Sequence, residues 1–194
     1  MKRDDASLVI LAGGASRRMG WPKHLLPTPY GRLIDYFVLR LGGLFSEIIV
    51  AGRELDLAVN GVRVVVDTRP EQSPLVGIHT GLSAAKTPLC FVLACDLPFA
   101  EPALVRFLLD SSSGADVTVP VVRSYFEPLF AVYRRSSLAV ISETLDRGDL
   151  KVTASYDRLR VQEVPEDALR RFDADLCSFI NLNAPEQLHL LKQL

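Results

Sequence analysis

The chain has 194 residues, with 22 Lys and Arg against 23 Asp and Glu for a formal net charge of −1. Its 48% hydrophobic and 23% charged content excludes a disordered chain and suits one domain, residues 1–194, with a full core. The charge balance argues against a nucleic-acid or anionic-membrane partner, and the densest apolar run, the seven residues Leu89–Cys95, is far shorter than a membrane helix of roughly 20.

Residues 1–6 are expected as a flexible tail. Short β-branched runs then alternate with helix-like segments. In chain order these are strand Ser7–Ala12, helix 33–44, strands Glu47–Ala51 and Val62–Val66, helix 76–86, strand Leu89–Ala94 and helix 101–110. Strands Val117–Val121 and Leu129–Tyr133, helix 135–147, strand Val161–Val164 and helix 184–193 follow. Pro102 and Pro185 fall where a first helical turn tolerates proline. Such alternation predicts an α/β fold, a mostly parallel sheet with helices on both faces. No repeat or long linker divides it; Ser111–Gly114 is a loop too short to do so. The apolar stretch Leu8–Ala12 is also too short for a secretion signal and ends in glycines and arginines.

Open α/β sheets bind ligands where their strands end, so the loops at 12–23, 67–75 and 95–100 matter first. The first, Leu11-Ala12-Gly13-Gly14-Ala15-Ser16-Arg17-Arg18-Met19-Gly20-Trp21-Pro22-Lys23, is rich in glycine and cations. The 29 residues from Ala6 to Ile34 hold Arg17, Arg18, Lys23 and Arg32 but no carboxylate. Glycines admit an anion close to backbone N–H groups, and the cations offset its charge. The spacing matches neither a P-loop nor a GxGxxG fingerprint. The alternatives are a triphosphate cradle and a strand-to-helix turn with solvated arginines.

Asp67 ends the Val62–Val66 run, where a carboxylate either accepts from base or ribose donors or serves a turn. Asp96 follows the most apolar strand. It suits Mg²⁺, which takes carboxylate oxygens with substrate phosphates, or else it opens the following helix. A phosphate monoester acceptor, with a second pKa of about 6, is mostly dianionic at neutral pH and needs no general base. It needs in-line positioning and charge neutralisation, which Arg, Lys, backbone N–H groups and Mg²⁺ supply. No Ser-His-Asp constellation competes. Asn181 and Asn183, spaced i, i+2, either face one way toward an amide-rich ring or satisfy a turn before Pro185.

LAGGxSxRMGxxK resembles the signature loop of nucleotidyltransferases that couple a nucleoside triphosphate to a phosphorylated acceptor. Ser73-Pro74-Leu75-Val76-Gly77-Ile78, Cys95-Asp96-Leu97-Pro98-Phe99, Glu127-Pro128-Leu129-Phe130-Ala131-Val132-Tyr133 and Phe179–Glu186 follow in order. Together they resemble the molybdenum cofactor guanylyltransferase family over residues 8 to about 190. The resemblance implies a three-layer Rossmann-like nucleotidyltransferase fold. It implies transfer of GMP from GTP to the terminal phosphate of molybdopterin with Mg²⁺, yielding a guanine dinucleotide cofactor and pyrophosphate.

By that resemblance Leu11, Ala12, Gly13, Gly14, Lys23, Asp67 and Asp96 bind the nucleotide. Arg18, Lys23 and Asp96 serve the chemistry, Asp96 holds the metal, and Asn181 and Asn183 meet the acceptor. It also implies delivery of the product to a molybdoenzyme or its chaperone. The chain departs from the family pattern at Ala51, where Asn is frequent and Arg53 is a candidate substitute, and at Ser73 and Ala184. The rival readings are transfer from CTP or to a sugar phosphate, and a nucleotide-binding protein without turnover.

Among other residues, His24 lies beside the first loop, while His79 and His189 show no ligand spacing. Trp21 either stands over the acceptor groove or anchors its loop. Cys95 reads as a small buried residue rather than a ligand. Arg134, Arg135, Lys151, Arg158 and Arg160 read as solvated faces, with one of them a candidate to meet the acceptor's phosphate. Three cysteines, odd in number and without CxxC spacing, point to a reducing compartment, the cytoplasm.

Overall fold

The run Leu89–Ala94 has no exposed residue, and it occupies the middle of a sheet. The structure is a computed structural model that describes residues 3–12, 22–53, 55 and 57–194. Its elements are β1 (Arg3–Leu11), β2 (Pro27–Thr28), β3 (Gly31–Arg32), α1 (Leu33–Leu41), β4 (Phe45–Gly52), β5 (Val62–Val66), α2 (Pro74–Ala84), β6 (Leu89–Ala94) and α3 (Pro102–Ser111). Next come β7 (Val117–Val122), β8 (Tyr125–Phe126), β9 (Phe130–Arg134), α4 (Leu138–Asp146), β10 (Val161–Val164) and α5 (Glu166–Leu169).

Strands run β10-β7-β9-β6-β1-β4-β5, with β8 paired to β7 and β2 paired to β3 apart. β9 is antiparallel to both neighbours, and the other pairs along this path are parallel. The sheet is therefore mostly parallel, and β1, β4, β5, β6 and β7 all end at one edge. Side chains alternate between its faces. Leu8 and Ile10 join one apolar layer with α1 and α3, and Val9 and Leu11 join the other with α2 and α4.

Helix α2 sits unusually close to β1. A Cβ on Gly81 would fall 2.2 Å from Val9 Cγ1, and one on Gly77 would fall 3.2 Å from Leu11 Cδ2. Glycine at these positions lets the start of α2 rest on the end of β1, where the cleft forms.

Residues 3–6, expected as a tail, instead begin β1. Ala6 is fully buried and pairs with Leu89, and the pairing with β4 shifts register between Arg3 and Ser7. Helix 33–44 gives way to a 3₁₀ turn at Gly42–Leu44, where two glycines weaken an α-helix. Helix 76–86 starts earlier, at Pro74, because Ser73 caps it: its Oγ accepts from Val76 N at 3.3 Å. Segment 184–193 is 3₁₀ rather than α over Pro185–Gln193. Among its described side chains only Leu191 is buried, too little packing to hold a short α-helix. Among the described residues no helix is long and apolar enough to cross a membrane.

Candidate active site

Small residues at the strand ends leave a cleft of about 200 Å³ at the carboxyl edge. Leu11 of β1 with the following Ala12, Ala51 and Gly52 of β4, and Ala94 of β6 with the following Cys95 make its floor. Backbone bonds continue the sheet past its strands: Ala12 N to Ala51 O at 2.8 Å, Cys95 N to Leu11 O at 3.1 Å, Asp67 N to Gly52 O at 2.9 Å and Ala94 N to Leu129 O at 2.9 Å. These bonds fix where each loop departs. Ser73, Pro74 and Gly77 bring the start of α2 to one wall, so the positive end of its dipole faces the cleft.

Three segments far apart in sequence meet at one ammonium. Lys23 Nζ donates to Asp96 Oδ2 at 3.1 Å and to Asn183 Oδ1 at 3.2 Å. The Lys23 and Asp96 side chains are 15% and 26% exposed. Leu182 N donates to Asp96 O at 2.8 Å, so the C-terminal strap is held against the same loop. Asn181 and Asn183 are both exposed on either side of buried Leu182, as an i, i+2 spacing on extended chain requires. Asn183 reaches the cleft lysine, and its N–H donates to Gln187 Oε1. Its turn role and its site role thus coexist.

Asp67 lines the opposite end. Its Oδ1 is buried with no hydrogen-bond partner among the described residues, an acceptor that a ligand donor would satisfy. Arg53 does not replace the frequent asparagine at Ala51. It donates to the carbonyls of Arg69, Pro70 and Glu71 at 3.1, 2.6 and 2.8 Å, tying down the loop after Asp67. Arg69 binds Asp146 of α4 at 2.6 Å, fixing that loop from its other side.

The basic window is less polarised than its composition implies. Arg32 forms a bidentate pair with Asp35, the carboxylate one residue beyond the window, with both contacts at 2.8 Å. That pairing holds the Asp35 carboxyl below its ordinary range and removes Arg32 from the cleft's field. Gly13, Gly14 and Arg18, with Arg17 and Trp21, lie outside the described residues. Of the other expected residues, Leu11, Ala12, Lys23, Asp67 and Asp96 all line the cleft.

His24 is buried beside Lys23, and burial lowers its pKa. Burial pushes the Cys95 thiol up to about 12, so it stays protonated and is a poor metal ligand. Arg134 donates to the Ala115 and Ser112 carbonyls, Arg158 pairs with Glu143 and Arg160 with Asp116. Arg134 braces the turn before β7, whereas Arg158 and Arg160 are exposed, as a solvated face requires. Sequence reading overlooked Leu129 as a lining residue. The signal was weak: an ordinary apolar residue before an antiparallel strand.

An edge so built, with a cation, a carboxylate and an orphaned acceptor over a glycine- and alanine-lined floor, suits a nucleotidyltransferase. The chain belongs to the MobA-like NTP transferase domain family, whose model matches residues 8–161. A protein of Pelotomaculum thermopropionicum named "probable molybdenum cofactor guanylyltransferase" is 39% identical, covering 94% of this chain and 90% of its own. The crystal structure of the molybdopterin-guanine dinucleotide biosynthesis protein A of Archaeoglobus fulgidus has a TM-score of 0.83 at 26% identity, covering 96% of this chain and 97% of that one. The fold is also that of the 2-C-methyl-D-erythritol 4-phosphate cytidylyltransferase of Thermus thermophilus, with a TM-score of 0.71 at 16% identity over 100% and 98% of the two chains.

Proposed function

We propose that this chain, acting as one nucleotidyltransferase domain, transfers GMP from GTP to the terminal phosphate of molybdopterin. The products are the guanine dinucleotide cofactor and pyrophosphate. The observation that carries the reading is the convergence of Asp96 and Asn183 on the Lys23 ammonium. The names of its relatives support the guanylyl and molybdopterin assignments.

In this reading the acceptor's phosphate oxygen attacks the α-phosphorus, a new P–O bond forms, and the bond to the pyrophosphate oxygen breaks. Lys23, on binding the triphosphate, exchanges its protein acceptors for phosphate oxygens and offsets charge on the leaving group. Asp67 Oδ1 takes a donor from the base or ribose. Asn183, released by Lys23, turns its amide to the acceptor, and Asn181 stands beside it.

Asp96 fits Mg²⁺ in one particular mode. Among the described residues no group of three or more His, Cys, Asp or Glu could hold a metal, so a cage made of protein alone is unsupported. Mg²⁺ is ordinarily held by one or two carboxylates together with substrate phosphates and water, and Asp96 supplies one such carboxylate at the cleft. Bound there, the ion adds neutralisation of the pyrophosphate. The reading keeps the protein in the cytoplasm, where its three free cysteines stay reduced, and hands the product to a molybdoenzyme or its chaperone.

The test compares pyrophosphate release from GTP, CTP and ATP with molybdopterin as acceptor. Preference for GTP is expected; preference for CTP, or no release from any, overturns the assignment.

A further inference from the structure

The edge that holds the cleft continues past β6 to the end of β7. There the chain turns into β8, pairing Val121 with Phe126 and Val122 with Tyr125. The turn is made by Arg123 and Ser124 at φ of 50° and 69°, left-handed values that non-glycine side chains adopt with strain. Phe126 packs edge-on against Tyr156 with ring centroids 5.5 Å apart. The Tyr156 and Tyr133 hydroxyls lie 3.0 Å apart, and Tyr133 Oη donates to Pro128 O at 2.9 Å. The hairpin and the 126–128 segment are therefore braced from the sheet face that carries α2 and α4.

Alternation along β8 turns Tyr125 to the opposite face. That is the face of the Phe130–Phe179 contact, which the strap Ile180–Asn183 follows. Nothing in the core requires an aromatic at Tyr125, which is 74% exposed. Glu127 comes next. Its backbone is engaged, its N–H donating to Pro120 O at 2.9 Å and its carbonyl accepting from Phe130 N at 3.1 Å. Its half-buried carboxylate has no hydrogen bond or ion pair among the described residues, and burial raises its pKa. An aromatic ring left open on a braced hairpin, two residues from an unanswered acceptor, suits a flat, donor-bearing ring.

We propose that Tyr125 and Glu127 form the subsite for the acceptor's heterocycle: the Glu127 carboxylate accepts from the ring N–H and exocyclic amine of a 2-amino-4-oxopyrimidine edge, and Tyr125 stacks on the ring. The inference rests on the proposed use of a pterin phosphate. Guanine presents the same edge, but position separates the two. Asp67 follows β5, three strands from β6 on one side, and Glu127 leads into β9, the strand beside β6 on the other, its N–H bonded to β7 and Leu129 O to Ala94 N of β6. At about 4.8 Å per strand spacing the carboxylates stand roughly 14 and 5 Å to either side of the strand that leads to Asp96. The phosphate chemistry lies between two like-minded acceptors, one for each heterocycle of the product.

Glu127→Gln, Tyr125→Ala and Tyr125→Phe test this in the full chain. Binding of 6-carboxypterin, a pterin without the phosphate, is read by its fluorescence, GTP binding by calorimetry, and KM for molybdopterin and GTP by pyrophosphate release. Glu127→Gln is expected to weaken 6-carboxypterin and raise the molybdopterin KM about tenfold or more, the usual effect of losing a charged acceptor. GTP binding should stay within about twofold, because a distant site is independent. Tyr125→Ala should weaken pterin binding by about tenfold, as loss of a stacking face does, with Tyr125→Phe restoring it. Since Tyr125 is exposed, its variants carry the test even where Glu127→Gln unfolds.

Unchanged pterin binding in both Glu127→Gln and Tyr125→Ala overturns the subsite, and so does a Glu127→Gln effect on GTP instead. A wild-type protein that binds 6-carboxypterin but releases no pyrophosphate overturns the proposed transfer while supporting the subsite. A wild-type protein that turns over normally, with both variants unaffected, does the reverse.

Discussion

Lys23→Ala removes the ammonium that Asp96 and Asn183 share at 3.1 and 3.2 Å. At that distance and an effective dielectric constant of about 20, the Lys23–Asp96 attraction is about 5 kcal/mol before desolvation. Both side chains are largely withdrawn from water, at 15% and 26% exposure. Lost hydration and side-chain entropy offset most of the attraction, leaving a net contribution to folding on the order of 1 kcal/mol. Catalysis should suffer much more. A preorganised cation acting on charge that develops in the transition state is worth about 10²- to 10³-fold in rate, and Asp96 is left without its counter-ion. Initial rates of pyrophosphate release, paired with urea unfolding, separate the two effects. The expected result is a small shift in the unfolding midpoint and a rate loss of about 10²-fold or more. Lys23→Arg, which keeps the charge but changes its reach, should fall between. A rate within about threefold of wild type would refute the assignment, as would a stability loss large enough to leave the variant unfolded under assay conditions.

Asp67→Ala removes the orphaned acceptor and should raise the KM for GTP about 10- to 100-fold with little change in stability, as for a lost hydrogen bond to a charged group; steady-state kinetics and a melting curve check both. Gly81→Ala drives a Cβ to 2.2 Å from Val9 Cγ1 and should destabilise by about 1–3 kcal/mol through overpacking. Adding Val9→Ala should recover part of that loss in urea titrations. Burial depresses the pKa of both His24 and His79 below the ordinary 6.5. The unfolded chain therefore binds protons first as pH falls, so their stabilisation is full above pH 6.5 and is lost as pH drops through the depressed native values. Unfolding midpoints measured from pH 7.5 to 5 should decline, and His24→Gln should flatten the slope.

The basic window is where sequence and structure part most clearly. Composition counts Arg32 among the cations of the Ala6–Ile34 window, yet Asp35 neutralises it one helical turn away. A window that stops at Ile34 cannot see a partner at residue 35. Arg53 shows a similar limit: proximity to Ala51 suggested a ligand contact, while three loop carbonyls claim its guanidinium. The tail expected at residues 1–6 misled because Ala6 is buried by strands 40 and more residues away. Periodicity within the tail carries no trace of them.

The strands were legible because buried parallel strands read as continuous apolar runs, and the loops to watch were legible because such sheets bind ligands at their carboxyl ends. Sequence alone marked Asp67 and Asp96 as carboxylates at the ends of those runs and Lys23 as the last cation of the loop after the first. It did not determine their order across the cleft. Only the strand order, with β1 between β6 and β4, brings Lys23 to Asp96 from 73 residues away and Asn183 from 160. Strand order is set by the packing of both sheet faces at once, and no local pattern encodes that.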